Sequence, residues 1–269
     1  MPNYNNAART NLDSNSVSIS QYELGRGAFR ICYSGSYIGG NRNQQEAACK
    51  KFKSQYWQIE NEFYETDFEV ADVAIRYASE WNRWCEQGEE ILMSRGAVHN
   101  LNGEKYLVEP IIRNFVKFTS NNGFIASVDD EGWAAKAMEA FSHYTYHRSG
   151  GQLIVCDLQG RYRYDRYNSN RCRFELTDPA ICSRARRYGP TDMGEKGIDS
   201  FFHHHVCNEY CHADGHRWQR PRYTNAWFNR SCATTMMSSA VSHQLCLSNT
   251  TTWRSYGAIM EEDSDESDY

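Results

Sequence analysis

The sequence predicts an α+β fold with a β-rich N-terminal lobe and a helical C-terminal lobe. Strand-like runs dominate the first part of the chain, and segments with helical spacing are more prominent after them. Strands and helices that are grouped along a chain in this way usually fold into separate layers or lobes. At 269 residues the chain is long enough for one large domain or two small lobes.

The N-terminal lobe is predicted from short strand-like runs. Residues 1–18 are rich in Asn and Ser and show no periodicity, so we expect them to be disordered. The strand-like runs lie at 22–24, 29–37, 46–52 and 106–112. The glycine-containing turn 25–28 is expected to join the first two runs.

Helical spacing appears in two longer segments. Residues 67–85 would place six apolar side chains on one face: Val70, Val73, Ala74, Tyr77, Ala78 and Trp81. Residues 129–146 carry a similar stripe of Ala134, Ala137, Met138 and Phe141. A short buried strand is predicted at 153–158, and a further helix at about 197–211.

Composition restricts the class of partner and the compartment. Six of the last nine residues are acidic and account for the net charge of −5, so the rest of the chain is near neutral and nucleic-acid binding is not expected. The N-terminus lacks a secretory signal, and no run approaches the roughly 20 apolar residues of a membrane span. We therefore expect a cytoplasmic protein whose 10 cysteines are reduced.

Two acids and an amide form the first candidate site. Asp157 and Gln159 follow the apolar run 153–156, and alternation along an extended chain places them on the same side. Asp178 precedes a proline at a second chain reversal. These groups can hold Mg²⁺ or divide the roles of base and metal ligand. The alternative is that these side chains only cap the two turns and bind no metal.

Lys50 is the candidate phosphate-binding residue of the N-terminal lobe. It lies in the strand-like run that follows a glycine turn, where a lysine can neutralise phosphate charge. The alternative is that Lys50 or its neighbour Lys51 is a solvent-exposed side chain.

The third candidate site is a group of soft metal ligands. His205, Cys207 and Cys211 suit zinc, but a structural zinc site needs a fourth ligand. On a regular helix His204, rather than His205, shares a face with the two cysteines. The alternative is a helix with buried cysteines and exposed histidines.

Several motifs in a fixed order make the chain resemble the alpha-kinases, a family of atypical protein kinases. They are the segments 140–146 (AFSHYTY), 153–160 (LIVCDLQG), 176–180 (LTDPA), 189–194 (GPTDMG), 197–202 and 205–211 (HVCNEYC). The resemblance runs from about residue 21 to 211. It implies a bilobal, atypical protein-kinase-like fold whose helical C-lobe is stabilised by zinc.

The resemblance implies how ATP would be bound. Gly27, Ala28 and Arg30 match the loop that covers the nucleotide, and Lys50 matches the lysine that contacts its phosphates. Glu109 and Ile111 match the hinge that meets adenine. Lys117 and Asn121 match a polar segment that lines the phosphate site.

The resemblance also assigns the chemistry and the metals. Asp157 matches the catalytic acid, with Lys50 and Asp178 as further catalytic residues. Gln159 and Asp178 match the magnesium ligands. His143 supplies the fourth zinc ligand beside His205, Cys207 and Cys211, so an irregular backbone is expected at His205. Gly189, Asp192 and Gly194 match a loop implicated in substrate engagement.

We therefore expect a kinase that transfers the γ-phosphate of MgATP to Ser or Thr of a protein substrate. The predicted kinase domain covers 19–217, and a C-terminal extension with an acidic, disordered tail covers 218–269. The alternatives are a non-catalytic ATP-binding pseudokinase and a zinc-stabilised module without a nucleotide site. The sequence leaves open the physiological substrate, the regulatory signal and the oligomeric state. It also leaves open whether Glu69 or Asp72 pairs with Lys50, and the roles of the arginine-rich insertion 161–173 and of the acidic tail.

Overall fold

The computed structural model describes residues 14–27, 29–84, 89–164, 172–212, 217–229 and 232–237. The strands are β1 (Ser16–Arg26), β2 (Arg30–Ile38), β3 (Glu46–Phe52), β4 (Glu89–Met93), β5 (Ala97–Leu101), β6 (Glu104–Pro110), β7 (Val116–Lys117), β8 (Leu153–Cys156), β9 (Gln159–Tyr164), β10 (Cys172–Thr177) and β11 (Ala180–Ser183). The α-helices are α1 (Glu60–Trp84), α2 (Val128–Arg148) and α3 (Gly194–His204). Short 3₁₀ turns cover Ser54–Tyr56 and Glu209–His212.

The strands form three sheets. The N-terminal sheet has the order β1-β2-β3-β6-β5, and all its neighbours are antiparallel. A second sheet has the order β4-β10-β9-β7, in which only the β4–β10 pair is parallel. β8 and β11 form a third, two-stranded sheet. Of the sequence predictions, the α+β class is confirmed.

The helical description of the C-terminal lobe is wrong in part, because that lobe also contains sheets. Two of its strands lie at the ends of the insertion 161–173, where charged residues conceal the strand pattern. Arg161 and Arg163 pair with Glu175 on the neighbouring strand at 2.5 Å each, and Arg173 pairs with Glu90 at 2.7 Å. These arginines therefore stabilise the second sheet, while residues 165–171 lie outside the described part of the chain.

The main core lies between α1, α2 and the second sheet. The apolar face predicted for α1 is buried there, except for Val73, which is partly exposed. The helix begins at Glu60, seven residues before the predicted start. The prediction missed its first turns because they are mostly polar and lack the apolar period. Trp81 packs edge-to-face on Phe141 of α2, with ring centroids 5.7 Å apart.

The structure describes residues beyond both predicted limits of the kinase domain. β1 begins at Ser16, inside the segment predicted to be disordered, and pairs with β2 from there on. Trp218, just beyond the predicted limit at 217, is buried in the main core. The domain limits stay predictions, and the acidic tail lies outside the described residues.

α3 is shorter than the predicted helix at 197–211. It ends at His204, and His205 has an extended backbone with φ −66° and ψ 123°. The irregular backbone expected at His205 is therefore present. Within the described ranges, no helix is both long and apolar enough to cross a membrane.

Gly160 offers a test of the sheet that carries the candidate site. Its φ is +151°, and a Cβ there would lie 2.0 Å from the Glu175 carbonyl oxygen. We expect Gly160→Ala to lower the free energy of unfolding by about 3 kcal/mol, the upper range for overpacking, measured by urea denaturation. Gly25→Ala is the matched control, since nothing lies within 4 Å of its added Cβ. Equal stability of the two variants would contradict this packing.

Candidate functional site

A cleft of about 500 Å³ separates the N-terminal sheet from the C-terminal lobe. This volume is in the range of small-molecule sites. Residues from both lobes line it, including Gly27, Arg30, Lys50, Glu109, Asp157, Gln159, Asp178, Pro190, Thr191 and Thr235. The structure therefore brings seven of the eleven residues predicted for catalysis, ATP and magnesium to one place.

Two chain reversals deliver the acids to this cleft. Asp157 follows β8 with φ +59°, and Asp178 lies between β10 and β11 with φ +48°. The left-handed region disfavours most side chains, but Asp tolerates it. The buried strands fix where each reversal occurs, so both carboxylates are held by rigid elements.

Lys50 connects the two lobes. Its Nζ contacts carboxylate oxygens of Glu109 on β6 and Asp178, and the lysine side chain is only 12% exposed. Burial opposes the charge on Lys50, but the two carboxylates outweigh it and raise the pKa of Lys50. Burial also opposes the charge on Asp178, yet Lys50 holds the pKa of Asp178 below its usual value.

Neither of the two residues considered as partners of Lys50 contacts it. Glu69 pairs with Arg187 at 3.4 Å, and Asp72 pairs with Arg95 at 2.6 Å. Both acids lie on α1, whereas the true partners come from a strand and a turn. The carboxylate of Glu109 as the partner of Lys50 is the feature that sequence reasoning missed, because the motif suggested only a main-chain role for this residue.

Asp157 is buried and paired with Lys117. Lys117 Nζ contacts Asp157 Oδ1 and lies 3.2 Å from Gln159 Oε1. Burial raises the pKa of Asp157, although Lys117 and hydrogen bonds act in the opposite direction. The carboxylate is thus a stronger base than a solvent-exposed aspartate.

The other residues predicted to bind a nucleotide take different positions. Arg30 lines the cleft, pairs with Asp67 and stacks over the Phe52 ring at 4.1 Å. Gly27 also lines the cleft, whereas Ala28 lies outside the described residues. Ile111 does not line it, and its N–H donates to the Glu46 carbonyl at 3.2 Å.

Asp192 organises the predicted substrate loop from within. It is buried, and it accepts hydrogen bonds from the N–H groups of Ser183 (2.8 Å), Tyr188 (3.2 Å) and Gly194 (2.9 Å), and from the Ser183 hydroxyl (2.6 Å). Gly189 and Gly194 both have positive φ. Asp192 therefore fixes the loop, and Pro190 and Thr191 are the loop residues that line the cleft.

Asn121 bridges that loop and a later segment. Its Nδ2 donates to the Thr191 carbonyl at 2.8 Å and to the Met236 carbonyl at 2.7 Å. Next to Met236, the Thr235 hydroxyl donates to Asp157 Oδ2 at 2.6 Å. Sequence reasoning missed Thr235, because nothing in the local sequence connects it to an acid 78 residues earlier.

A second cluster joins α2 to the end of α3. The ligand atoms of His143, His205, Cys207 and Cys211 all lie within 4.8 Å of one another. The two imidazoles approach to 2.9 Å, and each has a cysteine sulfur at 3.7 Å. Ligands of a tetrahedral zinc ion lie about 3.3–3.8 Å apart, given usual Zn–N and Zn–S bond lengths. The donor set and the two N–S distances of 3.7 Å therefore fit zinc, with His205 rather than the exposed His204, whereas the two imidazole nitrogens lie closer together than this range.

Neighbouring groups orient this cluster. His205 Nδ1 contacts Glu139 at 2.6 Å, and His143 Nε2 donates to the Gln219 carbonyl at 2.9 Å in one tautomer. That leaves Nε2 of His205 and Nδ1 of His143 for a metal, an arrangement usual for histidine ligands. Burial lowers the pKa of His143 to about 3, so its imidazole is neutral near pH 7. Burial raises the pKa of Cys211 to about 12, a shift that a bound cation would reverse.

The chain matches known proteins over most of this region. The model of the alpha-kinase family matches residues 25–211. Human eukaryotic elongation factor 2 kinase is 28% identical over 74% of this chain, and alpha-protein kinase vwkA of Dictyostelium discoideum is 28% identical over 73%. These matches cover 26% and 31% of the two relatives, so the chain spans under a third of their length.

Solved structures show the same fold. The alpha-kinase domain of myosin-II heavy chain kinase A, in complex with AMP-PNP, aligns with a TM-score of 0.63. The alignment covers 76% of this chain and 89% of that domain, at 22% sequence identity.

Proposed function

We propose a function from one premise, which is that this chain belongs to the alpha-kinase family. The chain acts as a protein kinase that transfers the γ-phosphate of MgATP to a Ser or Thr hydroxyl of a protein substrate. The observation that carries this proposal is the convergence of Lys50, Asp157 and Asp178 in one cleft between the lobes. Relatives named as kinases and a related domain solved with AMP-PNP support it.

Asp157 is the proposed base for the acceptor hydroxyl. Its carboxylate is buried and more basic than usual, and its Oδ2 accepts a hydroxyl hydrogen bond at 2.6 Å in the structure. A base must be within hydrogen-bond reach of the proton that it removes. Lys117 fixes this carboxylate and contributes positive charge beside the transferred group.

Lys50, Gln159 and Asp178 form the proposed phosphate side of the site. Lys50 would offset phosphate charge, and the oxygens of Gln159 and Asp178 are hard ligands suited to Mg²⁺, which supplies charge neutralisation when bound. Lys50 contacts Asp178, and Gln159 Nε2 donates to the Asp178 carbonyl at 3.1 Å, which supports this grouping. Gly27 and Arg30 would cover the nucleotide, with Glu109 near adenine. Phosphoryl transfer depends mostly on such positioning and charge.

Zinc is the proposed structural metal of the C-terminal lobe. His143, His205, Cys207 and Cys211 would hold it, and their spacing and neutral imidazole support this assignment. The cluster ties α2 to the chain after α3, away from the residues that line the cleft. Zinc here would stabilise the fold and take no part in the transfer.

Transfer of labelled γ-phosphate to a mixed basic-protein substrate tests the proposal. We expect MgATP to raise the melting temperature and labelled substrate to accumulate. A raised melting temperature without transfer would indicate the pseudokinase alternative. No change in melting temperature would indicate a zinc-stabilised module without a nucleotide site.

The pH dependence of the reaction reports on Asp157. Burial raises the pKa of Asp157, so kcat/KM is expected to fall as the pH decreases through a value above the ordinary aspartate pKa of about 3.9. Lys117 lowers that pKa, so Lys117→Met should move the acid limb to higher pH. Lys136→Met is the control, because Lys136 pairs with Glu209 and does not line the cleft. An acid limb that stays in place in Lys117→Met would argue against Asp157 as the base.

A further inference from the structure

The segment 232–237 places a hydroxyl of this chain on the proposed base. Thr235 Oγ1 donates to Asp157 Oδ2 at 2.6 Å, and Lys117 Nζ lies 3.2 Å from the same hydroxyl oxygen. A distance of 2.6 Å is usual for a hydroxyl that donates to a carboxylate. Thr235 therefore has the geometry required of an acceptor hydroxyl.

Three consecutive polar residues, Ser120, Asn121 and Asn122, bind the main chain on both sides of Thr235. Asn121 Oδ1 accepts from the Met236 N–H at 2.8 Å, and Asn121 Nδ2 donates to the Met236 carbonyl at 2.7 Å. The Thr234 carbonyl accepts from the Ser120 hydroxyl at 3.1 Å and from Asn122 Nδ2 at 3.3 Å. These side chains bind peptide groups, so they could hold any extended peptide with a hydroxyl at the Thr235 position.

The segment also borders the phosphate side. Thr235 lines the cleft together with Lys50 and Asp178, and Thr191 of the substrate loop lines it beside them. Asn121 contacts both that loop and Met236. The hydroxyl thus faces the space where the proposed function requires a nucleotide.

We propose that residues 232–237 occupy the phosphoacceptor site in cis and that Thr235 is an intramolecular phosphorylation site. The inference rests on the proposed kinase function, which supplies MgATP. In the step, Thr235 Oγ1 forms a bond to the γ-phosphorus, the bond from that phosphorus to the β,γ-bridging oxygen breaks, and ADP leaves. The hydroxyl proton passes to the Asp157 carboxylate.

The contacts of the segment 232–237 also indicate how phosphorylation of Thr235 would affect the binding of protein substrates. Before transfer, the segment competes with protein substrates for Ser120, Asn121 and Asn122, and its attachment to the chain makes this competition effective. After transfer, Thr235 carries close to two negative charges beside Asp157, and the repulsion favours release of the segment. Phosphorylation of Thr235 would therefore open the site.

The first experiment maps phosphate on the full chain after incubation with MgATP. We expect phosphate on Thr235 at a first-order rate that does not depend on protein concentration. The label at this position should persist in Thr235→Ser and disappear in Thr235→Ala. Thr234→Ala is the matched control and should keep it, because only the carbonyl of Thr234 takes part.

A mixing experiment separates the intramolecular reaction from transfer between chains. Wild-type protein, which can phosphorylate its own Thr235 and so open its site, is incubated with an Asp157→Asn chain of distinguishable mass that still has Thr235. We expect no phosphate on Thr235 of the Asp157→Asn chain, and label there would overturn the cis assignment.

A substrate assay on the same protein distinguishes the two proposals. Met236→Pro removes the N–H that Asn121 accepts, so it should reduce phosphate on Thr235 and lower the KM for an added peptide several-fold. In the wild type, transfer to the peptide while Thr235 stays unmodified would overturn this inference and leave the kinase function intact. Absence of transfer to both acceptors would overturn both proposals.

Discussion

Replacing Asp157 with Asn is expected to reduce kcat for phosphate transfer by about 10²–10⁴-fold, the range attributed to a general base. The amide keeps the shape of the side chain but cannot accept the hydroxyl proton. It also leaves Lys117 without the carboxylate that it contacts in the closed, buried site. The affinity for ATP should change little, because Lys50 and Asp178 form the phosphate side. Steady-state transfer and nucleotide titration measure the two quantities.

Asp72→Asn is the matched control for this variant. Asp72 is an exposed acid that pairs with Arg95 on the protein surface, where ion pairs contribute about 0–1 kcal/mol. Its kcat should equal that of the wild type. If Asp157→Asn kept wild-type turnover with an unchanged melting temperature, Asp157 would not be the base. The proposed phosphorylation of Thr235, which requires Asp157 to accept the hydroxyl proton, would then also be wrong.

Removing zinc is expected to unfold the C-terminal lobe. Structural zinc contributes roughly 10–16 kcal/mol of apparent free energy in small zinc domains, as much as the total stability of many proteins. The cluster joins α2 to the chain after α3, and both pack against the main core. We expect one zinc ion per chain by elemental analysis, and a chelator or Cys211→Ser should abolish the cooperative melting of this lobe.

Cys232→Ser is the control for the zinc prediction. Cys232 is exposed and lies outside the cluster, so its loss should change neither the zinc content nor the melting temperature. Full stability of the metal-free protein would show that hydrogen bonds alone hold His143 and His205, and the zinc assignment would then be wrong.

Much of the fold follows from local pattern. The apolar period located the centres of α1 and α2, and the strand-like runs at 46–52 and 106–112 located β3 and β6 within a few residues. β9 and β10 were missed, because their arginines and acids pair with neighbouring strands and remove the apolar signal. The extent of α1 and α3 also differed, since tertiary contacts rather than local period decided where each helix begins or ends.

For the candidate site, too, the sequence motifs predicted some features, whereas contacts between distant residues could not be predicted. Motif order in the sequence identified the family and predicted the irregular backbone at His205. It did not identify what Lys50 contacts. Glu109 and Asp178 lie 59 and 128 residues away along the chain, and they reach Lys50 from a neighbouring strand and from the other lobe.

The sequence by itself determined which residue types were present for the chemistry, because motifs and periodicity are local properties of the chain. Only the tertiary structure decided which of them meet, as with Thr235 and Asp157. Such contacts depend on how distant strands and loops pack, and the free energy of that packing is shared over the whole core rather than encoded beside either residue.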